Sequence, residues 1–128
     1  MNITEDYVSF EVAKLLKEKG FHEPCIATYN STTKNFQVEE IYEDWTIHWK
    51  GYISVPTQQM AMKWLREVHN ICIVIEPHAY DYINEKNKSY SCSLWIGDNY
   101  YEYLESRNYP SYEEAVEAAL KYSLENLI

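Results

Sequence analysis

Glycine and proline are scarce in this chain of 128 residues, which holds only three glycines and four prolines. Phosphate-binding loops need closely spaced glycines, and neither the G-x-G-x-x-G pattern nor the P-loop pattern is present. The H-E-x-x-H and G-x-S-x-G patterns of zinc proteases and serine hydrolases are also absent. An aromatic content of 16% argues against a disordered chain. We therefore expect a globular protein with no recognisable catalytic residue and no cofactor.

Cysteine is scarce as well, and the three thiols, Cys25, Cys72 and Cys92, form no C-x-x-C pair. An odd number at these spacings favours reduced and mostly buried cysteines in a cytosolic protein. The longest apolar run, Ile71–Ile75, is far shorter than the roughly 18 residues of a membrane span. The first ten residues lack the features of a signal peptide. The sequence thus predicts a cytoplasmic protein with no membrane association.

Positively charged residues are also scarce. The chain has 11 Lys and Arg and 20 Asp and Glu, which gives a net charge of −9. Binding to a nucleic-acid backbone needs a positive surface, so this balance argues against it. A length of 128 residues fits one domain with one core. We expect a single domain over residues 1–128.

Three helices are predicted from their end signals and from apolar residues at helical spacing. Gly20 and Asn70 are suited to the left-handed position after a helix. Pro56 is suited to the start of the second helix, with Thr57 or Val55 at the cap. Ser111 begins the capping-box pattern S-Y-E-E. The expected spans are about 9–19, 57–69 and 111–127.

The second helix is predicted to be amphipathic. Its apolar side holds Met60, Ala61, Trp64, Leu65 and Val68. Its polar side holds Gln59, Lys63, Arg66 and Asn70.

Between the helices the apolar period falls to two, which indicates strands. A turn is expected at 30–34, and a polar hairpin around 84–89 is expected to join two pairing strands. The predicted strands are 25–29, 45–53, 71–75, 90–96 and 100–104. The fold class is therefore α+β, with a mainly antiparallel sheet of four to five strands and three helices in the order α-β-β-α-β-β-β-α.

Side chains suited to catalysis or metal binding are present but not in convincing arrangements. The four histidines show no metal-ligand spacing on one element, and Glu76–Asp81 is most simply a solvated turn. The acids at 39–44 are best explained as a solvated loop. Cys72 and Cys92 lie in apolar strands, so buried structural roles are favoured over nucleophilic ones. No metal site is predicted.

Two features suggest a binding surface. One is the aromatic segment from Tyr42 to Tyr52, which includes Trp45, His48 and Trp49. The other is the pair Lys63 and Arg66, a helical turn apart on an acidic chain. Packing and solvation explain both, but the alternative is a site in which a ring stacks on a base and a cation meets a phosphate. The candidate ligand-binding residues are Trp45, His48, Trp49, Tyr52, Lys63 and Arg66.

Three blocks of the chain stand out: residues 7–21 with Glu23-Pro-Cys25, then Pro56-Thr57 leading into 62–70, then Ser111 to the C-terminus. Together they resemble small uncharacterised proteins of phages and mobile elements in gut bacteria. The resemblance implies a phage or mobile-element origin and a bacterial cytoplasm, but it assigns no activity and no catalytic residue. His69 joins the candidate ligand-binding residues because, like Lys63 and Arg66, it lies in the middle block without an evident core role.

These observations lead to a hypothesis of a non-enzymatic, phage-type binding protein that modulates the bacterial host. It would act against host defence by sequestering a nucleotide-like signal or by blocking a host protein. An acidic DNA mimic or protein-interaction module is an alternative, since seven acids and two bases lie between Asp98 and Ile128. A cryptic small hydrolase or nuclease is a further alternative. The tyrosine content favours a homodimer.

Overall fold

The structure, a computed structural model, describes residues 3–38, 51–79, 88–101 and 108–128. Within these ranges the chain forms three helices and six strands in the order α-β-β-β-α-β-β-β-α. Its contacts divide it into two compact units, Met1–Ala61 and Met62–Ile128. The predicted α+β class and the three helices are confirmed, and the single domain stays a prediction.

The first helix, α1, spans Phe10–Glu18. It begins where predicted, because the Ser9 hydroxyl accepts a hydrogen bond from the backbone N–H of Val12 (3.2 Å). Val12 and Leu16, at helical spacing, are buried on its inner side together with Val8.

The first sheet has the antiparallel order β2-β1-β3. Its strands are β1 (Ala27–Asn30), β2 (Phe36–Val38) and β3 (Tyr52–Val55). The turn predicted between Asn30 and Lys34 is present, and the Asn30 side-chain oxygen accepts from the N–H groups of Thr32 and Thr33 (2.9 and 3.0 Å). Strand β2 was not predicted, because three residues are too short for an alternating pattern to be recognised.

The second helix, α2, spans Gln58–His69, and both predicted end signals are confirmed. The Thr57 hydroxyl accepts from the N–H of Met60 (3.2 Å), and Asn70 adopts the left-handed conformation with φ 57°. Trp64 and Leu65 are buried as expected. Val68 was expected on the buried side, but it is 58% exposed.

The second sheet has the antiparallel order β4-β5-β6. Its strands are β4 (Ile71–Ala79), β5 (Lys88–Ile96) and β6 (Asn99–Tyr101). The predicted pairing of β4 with β5 is confirmed, and most of the hairpin expected between them lies outside the described residues.

The third helix, α3, spans Tyr112–Asn126 and covers one face of the second sheet. The Ser111 hydroxyl accepts from the N–H of Glu114 (3.1 Å), which confirms the predicted cap. Ala119 packs with the buried Cys92 and Leu94, and the partly buried side chains against this cluster are Ile73, Ile75, Tyr109, Tyr122 and Leu127.

The prediction of one sheet with four to five strands is wrong for the described residues, which form two separate three-stranded sheets. The alternating pattern locates a strand but does not say which strand it pairs with. In the second sheet each strand pairs with the strand that follows it in the sequence. In the first sheet β1 lies in the centre and pairs with both β2 and β3. The predicted strand segments 45–50 and 102–104 lie outside the described residues.

Candidate binding surface

The two faces of the second sheet have different surroundings. Directly opposite residues of an antiparallel pair share a face, and side chains alternate along each strand. One face carries Cys92 and Leu94 against α3. The other is here called the outer face. Its members, from the pairing register, are Cys72, Val74, Glu76, His78, Ser89, Ser91, Ser93, Trp95 and Tyr100.

An exposed aromatic pair marks one end of the outer face. Trp95 and Tyr100 lie opposite each other on β5 and β6, with ring centroids 5.0 Å apart and an interplanar angle of 53°. Each is 40% exposed, and the nearby Val74 on β4 is 36% exposed. Large rings that stay exposed beside an aliphatic side chain form the kind of patch that binding surfaces use.

The other end of the outer face is polar and closely hydrogen-bonded. The Nε2 atom of His78 lies 2.6 Å from the Oγ atom of Ser91 across the β4–β5 pair. Ser91 and Ser93 are buried. The Ser89 Oγ atom is also buried and has no hydrogen-bond partner among the described residues. A histidine beside a serine can activate a nucleophile, but Ser91 is only 2% exposed, so this contact holds the two strands together rather than serving a substrate.

Lys63 and Arg66 are both exposed on α2, as the helical period predicts. Arg66 and His69 belong to the last turn of the helix. A positive charge there is stabilised by the helix dipole, so part of this charge has a structural explanation. Lys63 lies a turn earlier and has no such explanation.

His69 is half-buried and packs edge-to-face on Trp64, with ring centroids 4.7 Å apart and an interplanar angle of 70°. Its Nε2 atom is buried without a hydrogen-bond partner among the described residues. The contact with Trp64 gives His69 a packing role at the helix end that the sequence did not reveal.

The end of α2 is joined to the turn between β5 and β6. The carbonyl of Asn70 accepts a hydrogen bond from the N–H of Gly97 (2.9 Å). Gly97 follows Trp95 by two residues, and Arg66 precedes Asn70 by four, about one helical turn. This junction brings the cationic part of α2 to the same end of the sheet as the aromatic pair.

The described members of the predicted site are divided between the two compact units. Lys63, Arg66 and His69 belong to the second unit, whereas Tyr52 is half-buried in β3 of the first unit. Trp45, His48 and Trp49 lie outside the described residues. Trp95 and Tyr100 are not among the predicted site residues. The available signal was the spacing of two along β5, which puts Trp95 on the same face as Ser91 and Ser93.

No disulfide joins any of the three cysteines, and Cys25 and Cys92 are buried. Burial, assisted by the nearby Glu23 charge, raises the pKa of the Cys25 thiol from 9.0 to about 12. A thiol that keeps its proton at neutral pH is a poor nucleophile, which supports a structural role for Cys25.

Comparison of the chain with family models, with curated proteins and with solved structures gives no match. The resemblance to phage and mobile-element proteins therefore stays a prediction. No helix within the described ranges is long and apolar enough to cross a membrane. Among the described residues, no three His, Cys, Asp or Glu side chains are grouped to hold a metal ion.

Proposed function

We propose that the chain is a non-enzymatic binding protein that docks a protein of its bacterial host on the outer face of the second sheet. The observation that carries this proposal is the exposed Trp95–Tyr100 pair, on the side of the sheet turned away from α3. The phage-type origin and the role against host defence belong to the same proposal and rest on the resemblance of the sequence blocks.

The energetics favour the aromatic pair as the centre of such a contact. Tryptophan and tyrosine dominate the residues whose truncation weakens protein interfaces, typically by about 2 kcal/mol or more. The two rings already pack on each other, so little side-chain freedom remains to be lost on binding. Val74 extends the apolar area along β4.

Affinity capture from bacterial lysate tests this function if recovery is compared between wild type and variants of the outer face. We expect Trp95→Ala combined with Tyr100→Ala to lower the recovery of a specific host protein at least tenfold. Val68→Ala, which truncates another exposed apolar side chain of the second unit, is the matched control and should leave recovery unchanged. Thermal melts of each variant verify that the fold is retained. Equal recovery by folded wild type and double variant would reject the proposal.

A nucleotide-like ligand is a second candidate, favoured by the Asn70–Gly97 junction. A base stacked on the exposed ring of Trp95 and a phosphate bound by Arg66 and Lys63 would use both features at this end of the sheet. A small cationic site is compatible with a chain of net charge −9, because a local field depends on the nearby charges.

Calorimetry with cyclic nucleotides and ADP-ribose derivatives separates this candidate from the first. A ligand of this type should bind wild type, and its affinity should fall at least tenfold with Lys63→Ala plus Arg66→Ala. Lys121→Ala removes one positive charge elsewhere, from an ion pair with Glu125 (3.8 Å), and is the control. Absence of heat with every compound in the panel would exclude the sequestering role.

A further inference from the structure

We infer that the protein docked on the outer face presents a basic surface and that one of its arginine side chains stacks on the Trp95–Tyr100 pair. This inference rests on the proposed function, because it names the chemistry of the partner at the same surface. In this contact the guanidinium cation lies over the aromatic rings. The acidic side chains around the face attract the same cation.

The outer face and the turn beside it carry negative charge. Among the described members of the outer face, Glu76 is an exposed carboxylate and none is a lysine or arginine. Asp98 is exposed in the turn that joins β5 to β6, next to the aromatic pair in sequence. Lys63 and Arg66 are not members of the face, although the Asn70–Gly97 hydrogen bond joins the end of their helix to the same end of the sheet. A partner surface of positive charge is therefore complementary to this face.

The charge of the surrounding chain acts in the same direction. Residues 62–128 hold six Lys or Arg against eleven Asp or Glu, within a chain of net charge −9. Such a field attracts basic surfaces and repels acidic ones before any contact forms.

The exposed rings favour an arginine over other positively charged side chains. A cation over the face of tryptophan is attracted by the ring quadrupole. The guanidinium group is planar and weakly hydrated, so it stacks on a ring with a smaller loss of solvation than an ammonium group. The neighbouring Val74 provides apolar surface for the methylene groups of such a side chain.

The experiment titrates a nona-arginine peptide and a nona-lysine peptide into the isotope-labelled full chain and follows the indole N–H resonance of Trp95. We expect the arginine peptide to shift this resonance and to bind at least threefold more tightly than the lysine peptide. Trp95→Leu keeps an apolar side chain but removes the ring, and it should abolish that difference. Glu76→Gln should weaken binding of both peptides at least threefold.

The matched control is Glu5→Gln, which makes the same charge change at an exposed position of the first unit and should alter neither affinity by more than about the normal error of the titration. Equal binding of both peptides to wild type and to Trp95→Leu would overturn the inference, because charge alone would then explain it. If that happens while lysate capture still depends on Trp95 and Tyr100, the docking function stands and only the basic partner is rejected. If the peptides behave as expected but capture is insensitive to the pair, the proposed function is rejected.

Discussion

The side-chain Nδ2 atom of Asn70 lies 3.3 Å from the position that a Cβ atom on Gly97 would occupy. Both residues have left-handed backbones, with φ 57° for Asn70 and 60° for Gly97. Two features therefore disfavour a larger residue at position 97 in the β5–β6 turn: the left-handed backbone of Gly97 and the nearby side chain of Asn70.

Gly97→Ala should lower the free energy of unfolding by about 1–2 kcal/mol, the usual penalty of a left-handed backbone for a residue with a Cβ atom. Urea denaturation measures this change. Gly51→Ala is the control for a left-handed backbone, since φ there is 92° and no atom of the described residues lies within 4 Å of the added Cβ. In an Asn70→Gly background the cost of Gly97→Ala should fall by about 0.5 kcal/mol or more, and strict additivity would show that the contact is harmless.

The two faces of the second sheet should respond differently to truncation. Leu94→Ala removes a fully buried side chain from the cluster under α3 and should cost about 2–5 kcal/mol. Val74→Ala, on the outer face, should cost less than about 1 kcal/mol. Thermal or urea denaturation of both variants measures the costs. Similar losses at the two positions would contradict the assignment of the faces.

The cap of α3 provides a local test. Ser111→Ala removes the acceptor for the N–H of Glu114 and should lower the free energy of unfolding by about 1 kcal/mol. Ser111→Thr keeps a hydroxyl that can accept from the N–H of Glu114 and donate to the Glu114 carboxylate (3.0 Å in the native contact), so it should retain most of the stability. A cost for threonine as large as that for alanine would contradict the capping role.

The raised pKa of Cys25 predicts a dependence of stability on alkaline pH. The unfolded thiol loses its proton near pH 9.0, whereas the folded thiol keeps it to about pH 12. Between these values the unfolded state binds fewer protons, so stability falls as pH rises, by up to about 1.4 kcal/mol per pH unit from this group. Urea denaturation at pH 8 and pH 10 measures the loss. Cys25→Ala should lose less stability over that interval than wild type, and an equal loss in both proteins would assign the effect to other groups.

The helices were the part of the fold that the sequence predicted best, because their end signals are local. Ser9, Asn70 and Ser111 act on backbone groups within a few residues of themselves. Sheet membership depends on pairing between distant segments, which alternation does not encode. This explains both the unrecognised strand β2 and the expectation of a single sheet.

The candidate surface was predicted only in part, for a related reason. The exposure of Lys63 and Arg66 follows from helical period alone. The face occupied by Trp95 depends on which side of the sheet α3 covers, and that is a property of the tertiary packing. The pairing of Trp95 with Tyr100 also depends on the register of β5 with β6, so no single segment of the sequence contains it.

Cys72 lies directly opposite Trp95 on the outer face and is half-buried, while the other two cysteines are buried. The native chain thus has a thiol suited to selective labelling beside its aromatic pair. A small fluorophore or a fluorine-bearing tag attached there would report occupancy of the face in solution, with no engineered cysteine and no knowledge of the partner. Protection of Cys72 from alkylation could then guide purification of whatever binds.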